Sequence, residues 1–190
     1  MILQRLDTKE ELKIPCEKLV LAAGAWTPRV FSTLFPTSTT EVPVGALSGY
    51  SLVLRSPRHT LQHEQEKYGG KSHAVFTTHP KSSGFSPEVF SRDGTDIYIA
   101  GLNSLDIPLP EVATDSRKIM EREKSDRVKR AAVALMGRAR HDATATPKSE
   151  VENIDDLEVV REALCFRPWT ENGRPIIGRV EDKLLGSDAK

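Results

Sequence analysis

The sequence predicts a mixed fold: a strand-turn-helix stretch near the N-terminus, then an α+β body with a largely antiparallel sheet and one long helix. Three observations carry this. Leu19-Val20-Leu21-Ala22-Ala23-Gly24-Ala25-Trp26-Thr27-Pro28 is an apolar β-type run that falls into small residues and then meets a helix-start signal. Asp93-Gly94, a strong hairpin signal, stands between two β-type stretches, Glu88 to Arg92 and Asp96 to Ala100. Thr114 to Arg140 contains no proline and many helix formers. Strands with a long helix, and no regular βαβ repeat, point to the α+β class for the body.

Taken in order, Lys13 to Cys16 and Lys18 to Ala23 read as two short strands. Thr27 is the expected N-cap and Pro28 the first helical residue of a short helix through Leu34, stopped by Pro36. Val44 to Arg55 is a strand carrying Gly45 and Gly49. Ser56 to His73 is polar and holds Pro57 and Gly69-Gly70, which predicts a loop. Ala74 to Thr78 is a further strand, with a loop from Pro80 to Pro87 and a proline-limited connection from Leu105 to Pro110. In the helix from Thr114 to Arg140, Ile119, Met120, Val128, Ala131, Ala132, Leu135 and Met136 fall mostly on one side. His141 to Ser149 is a polar connection. Val151 to Leu164 is ambiguous, with a helix over Asp155 to Ala163 as one reading. Asn172-Gly173 predicts a tight turn between two short β-type pieces.

Composition narrows the function. With 27 basic and 27 acidic residues the formal net charge is zero, so the whole molecule offers no electrostatic case for nucleic acid or a membrane surface. No apolar run reaches spanning length, and the N-terminus lacks a signal-peptide pattern. Cys16 and Cys165 form neither a metal-spacing pair nor a disulfide framework, which favours a reducing, cytoplasmic setting. His59, His63, His73 and His79 have no zinc-site spacing and read as surface histidines, so no metal is expected. The basic residues of Arg117 to Arg140 interleave with acidic ones and read as a solvated helix face. No serine sits in a G-x-S-x-G context, which removes hydrolase chemistry of that type.

A second motif, Cys165-Phe166-Arg167-Pro168-Trp169-Thr170-Glu171-Asn172-Gly173-Arg174-Pro175-Ile176-Ile177-Gly178, stands near the C-terminus. With Ala22-Ala23-Gly24-Ala25-Trp26, in this order, it resembles the FAD-dependent amine and amino-acid oxidoreductases of D-amino-acid oxidase, glycine oxidase and sarcosine oxidase type. The resemblance covers essentially the whole chain, more loosely in the middle. It implies a partial α/β domain of FAD/NAD(P)-binding type over 1–40, a substrate-type α+β domain over 41–164 with a strand leading into Cys165, and a segment over 165–190 that returns to the FAD-binding domain. The sequence has no G-x-G-x-x-G turn, the unit that seats the pyrophosphate in such enzymes. The chain is therefore expected to be an internal portion of such an enzyme, without the outer pieces of its cofactor site.

What the resemblance implies for single residues is specific. Arg167 matches the arginine that holds the substrate carboxylate, and a guanidinium fork suits that task. Ala23, Gly24, Ala25 and Trp26, with Asn172, Gly173, Pro175 and Ile177, are the implied cofactor-side contacts, and Gly178 is placed for close packing there. Cys165 matches the position at which sarcosine-oxidase-type relatives attach flavin covalently, although Arg167-Pro168 follows the glycine oxidase pattern. The implied function is oxidation of the C–N bond of a small-molecule amino acid or amine by hydride transfer to FAD. The alternative is a non-catalytic fragment or interaction module that self-associates through uncovered apolar surface.

Overall fold

The computed structural model describes residues 2–5, 7–78, 84–92, 94–139 and 153–186. The chain divides into two compact units, one formed by Met1–Val44 with Thr170–Lys190 and one by Gly45–Trp169. The fold is mixed, with a five-stranded antiparallel sheet and three α-helices among the described residues. No helix among them is long and apolar enough to cross a membrane.

In the first unit, β1 (Ile2–Gln4) and β2 (Glu11–Lys13) form an antiparallel hairpin with Leu3 opposite Leu12. The expected strand over Lys13 to Cys16 is thus confined to its first residue, and Lys18 to Ala23 belongs to no strand. A strand needs a partner for its N–H and C=O groups; none of the described strands pairs with this stretch, and Val20 is 85% exposed. Gly24–Trp26 makes one 3₁₀ turn and leads into α1 (Thr27–Leu34). The cap lies one residue earlier than expected: Trp26 is the N-cap, without a side-chain cap bond, and Thr27 opens the helix. Pro28, lacking an N–H, is tolerated in this first turn, where N–H groups have no intrahelical partner anyway. Phe31 is buried and meets the Phe35 ring at 5.2 Å. The Ser38 hydroxyl donates to the Leu184 carbonyl (2.6 Å), which ties the segment after α1 to the 3₁₀ turn Asp182–Leu184.

The second unit is organised by β3 (Gly45–Arg55), the fourth strand in the order β4-β5-β6-β3-β9. Its neighbours are β6 (Asp96–Ser104) and the edge strand β9 (Glu158–Trp169), both antiparallel to it. On the far side, β5 (Glu88–Ser91) pairs with β6, and β4 (Ala74–Phe76) closes the edge. The hairpin β5–β6 follows the expectation; Gly94 has φ 88°, while Asp93 lies outside the described residues. The ambiguous stretch before Cys165 resolves as β8 (Asn153–Ile154) followed by β9, not as a helix.

One face of this sheet is the core. Tyr50, Leu52 and Leu54 of β3, Ile99 of β6 and Leu164 of β9 pack with Leu157 and with Val128 and Ala132 of α3 (Arg122–Met136). α3 meets them along a stripe of Ser125, Val128, Ala131 and Ala132, at helical spacing. The expected helix from Thr114 to Arg140 is interrupted: Ala113–Arg117 is a 3₁₀ turn, and α3 starts only at Arg122. The reason is a competing bond. The Tyr50 hydroxyl accepts the Glu121 N–H (3.1 Å), which a continuous helix would direct to its own preceding turn. At the other end, the Asn153 amide donates to the Val133 and Ala134 carbonyls, and Arg58 donates to that of Met136. The Ala134 and Met136 carbonyls are ones that a helix end leaves open, while that of Val133 also accepts the Gly137 N–H. Arg138–Ala139 then forms β7, which pairs with β8.

The polar stretch from Ser56 to His73 is not simply a loop. It contains α2 (Leu61–Tyr68), capped by the Thr60 hydroxyl, which accepts from the His63 N–H, and closed by Gly69 at φ 61°. His59, expected at the surface, is largely buried beside α2, with Nδ1 3.0 Å from Glu64 Oε1. His63 and His73 flank the Tyr68 ring. His79 and the His141 to Ser149 connection lie outside the described residues.

Candidate functional site

The face of the sheet turned away from α3 is where the sequence-predicted Arg167 and Cys165 lie. They are two apart on β9 and so project to one side. Cys165 is exposed, a free thiol opposite Gly49, and Arg167 is opposite Leu47. Arg167 does not stay on its own strand. Its guanidinium Nη2 donates to the Asn103 side-chain oxygen at 2.7 Å, on β6, with β3 running between the two strands. The side chain crosses β3 at Gly49. A Cβ on Gly49 would stand 2.7 Å from Asn103 Oδ1 and 3.8 Å from Arg167 Nη2, so it would push the amide oxygen aside while leaving the guanidinium at ordinary contact distance.

A bulge makes the contact possible. Ser48 pairs with Ser104, and Tyr50 with Gly101, so Gly49 alone faces both Leu102 and Asn103. Such an extra residue bends a strand and re-aims its side chains. Leu102 takes the left-handed conformation (φ 56°), rare for a branched side chain, and packs against the core. Asn103 is thereby delivered to the opposite face. Arg167 is exposed and has no ion-pair partner among the described residues. An arginine carries five N–H donors in a planar fork, and among the described residues only one bond, to a neutral amide, is made. The chemistry on offer is bidentate capture of a carboxylate.

Sequence reasoning singled out Arg167 and missed Asn103, Leu102 and the role of Gly49. Gly49 was the available signal: an isolated glycine inside a strand pattern suggests a bulge or a close approach. Asn103 gave none, because its role depends on a register shift.

The residues expected on the cofactor side belong to the first unit. Ala23 accepts the Trp26 N–H (3.1 Å), Gly24 has φ 57°, and Ala25 is buried. Thr170 to Arg174 forms the expected turn: Gly173 at φ 67° donates its N–H to Thr170, and Asn172 Oδ1 accepts the Arg174 N–H at 3.0 Å. The β-type piece expected after that turn is not formed. Residues 174–180 have no ladder partner, with Ile177 94% exposed and Pro175 also exposed. A Cβ on Gly178 would meet nothing within 4 Å.

Elsewhere on the second unit, Phe90, Ser91, Arg92 and Tyr98 line a shallow, open depression, with the Arg92 guanidinium 5.8 Å from the Tyr98 ring centre. Among the described residues no three His, Cys, Asp or Glu side chains are placed to hold a metal ion. Lys129, expected on a solvated helix face, is instead largely covered; it donates to the Leu157 carbonyl and pairs with Asp155. No model of a known protein family matches the chain.

Proposed function

We propose that this chain carries the substrate side of a FAD-dependent oxidoreductase acting on the C–N bond of an amino acid or a carboxylate-bearing amine. The observation that supports the reading most is Arg167: an exposed guanidinium, held by a neutral amide, with no ion-pair partner among the described residues. Such a fork fixes a carboxylate in one orientation and so holds the adjacent amine-bearing carbon at a set place. Cys165, on the same face, adds an exposed thiol close to that position.

The cofactor side is assigned to the turn Ala23–Trp26 and the Asn172–Ile177 loop. Gly24 gives room for close approach, and the start of α1 favours an anion. They do not amount to a dinucleotide cradle. The G-x-G-x-x-G turn is absent from this sequence, and Lys18 to Ala23 is in no ladder. In any form of the protein that retains flavin, Arg167→Ala should raise KM for amino-acid substrates about tenfold or more and leave the flavin absorption bands in place. An unchanged KM would remove Arg167 from the substrate site.

One observation favours the second reading, a non-catalytic interaction module. Among the described residues of the first unit only Ala25 and Phe31 are buried, while Ile2, Leu12, Val20, Ile176 and Ile177 are more than half exposed. So small a core does not hold a unit of this length by itself. A chain that self-associates, and binds neither added FAD nor amino acids after desalting, would fit this reading instead.

A further inference from the structure

We propose that Asn103 is the positioning residue of the Arg167 site: its neutral amide fixes the guanidinium above Gly49 and leaves the positive charge free for the carboxylate of a small ligand. The inference rests on the reading of Arg167 as a carboxylate anchor.

Three unusual features converge on this one contact. In a regular ladder continuing from Tyr50 opposite Gly101, Leu102 would face Gly49 and share its side of the sheet. The bulge turns Leu102 into the core, at the cost of a left-handed backbone, and sets Asn103 above Gly49. Glycine at 49 then leaves the space that Asn103 Oδ1 occupies when it accepts from Arg167 Nη2. An aspartate at 103 would hold the guanidinium more tightly, since a charge-assisted bond is stronger. It would also fill the fork with an internal carboxylate. An amide holds one N–H and leaves the others, with the charge, for a ligand. The ligand class that fits is a small monocarboxylate.

The test uses the whole chain and sodium propionate, with propionamide as the neutral isostere. Affinity is read by saturation transfer to the ligand methyl group, and the Arg167 Nε–Hε resonance reports contact at the guanidinium. Wild type should bind propionate and not propionamide, with a shift of the Arg167 resonance. Asn103→Asp should lose about tenfold or more in affinity, because a charged hydrogen bond now competes with the ligand. Asn103→Ala should lose less than Asn103→Asp, since it frees the side chain without neutralising it. Gly49→Ala, which displaces the Asn103 amide without altering it, should behave like Asn103→Ala. This variant keeps the test decisive should Asn103→Asp fail to fold.

Equal losses in Asn103→Asp and Asn103→Ala would overturn the charge argument. Unchanged affinity in Gly49→Ala and both Asn103 variants, with loss in Arg167→Gln, would remove Asn103 and spare the Arg167 reading. Wild type that ignores propionate, or Arg167→Gln that binds it as well as wild type, would overturn the Arg167 reading and this inference with it.

Discussion

Arg58 ties three parts of the second unit together through one guanidinium. It forms a two-pronged pair with Asp156, at the approach to β9, and donates to the Met136 carbonyl at the end of α3. The pair holds the Asp156 carboxyl well below its ordinary value of 3.8, at about 2, with the Arg138 N–H adding to the same side. A carboxyl that is more acidic in the folded state stabilises that state above its unfolded pKa and loses the contribution as pH falls through the folded one. Stability should therefore decline between about pH 4 and pH 2. Urea midpoints measured from pH 5 to pH 2 should show this decline in wild type, and Asp156→Asn should flatten it. An identical slope in the variant would assign the acid sensitivity to other carboxylates. At this scale the sequence was uneven to read. Arg167 stood out through its motif, while Asn103 depends on a one-residue shift that no local pattern announces. Arg58 and Asp156 are 98 residues apart in the chain, so no local pattern pairs them.

Helix α2 shows what periodicity alone misses. Leu61–Tyr68 has no buried residue, so it carries no apolar stripe to read. Its end signals were passed over in the loop expectation: Thr60 caps it, and Gly69-Gly70 stops it, with the Gly69 and Gly70 N–H groups donating to Gln65 and Glu64. With so little packing to support it, the cap matters. Thr60→Ala should cost about 1 kcal/mol in urea unfolding, and Thr60→Ser close to nothing. A Thr60→Ala variant as stable as wild type would mean that α2 is held by its neighbours. The opposite error occurred over Thr114 to Arg140, where uniform helix propensity hid a break. That break is tertiary in origin, since the Tyr50 hydroxyl takes the Glu121 N–H. Lys18 to Ala23 repeats the lesson for strands: β-type composition specifies an extended chain, and a partner strand makes it a ladder.

Across the whole molecule, burial is concentrated in one of the two units. The second unit carries a core from β3, β6, β9 and α3, whereas the described part of the first buries two side chains. Local opening should follow that division. Amide hydrogen exchange is expected to be slowest for Leu52 to Leu54 and Ile97 to Ile99, and fast for β1 and β2, whose strand residues are all exposed. Equal protection in the two places would show that apolar surface of the first unit is covered in solution, as the interaction-module reading requires. The antiparallel sheet was legible from the β-type stretches, the hairpin signal and the lack of a βαβ repeat. The uneven core was not, because burial depends on what each face meets.

The central claim is that Arg167 receives a substrate carboxylate, and calorimetric titration of the purified chain with N-methylglycine tests it most directly. The expectation is saturable binding to wild type that Arg167→Ala weakens by about tenfold or more, with no binding of N-methylglycine amide. Equal binding of acid and amide, or equal binding by wild type and Arg167→Ala, would contradict it.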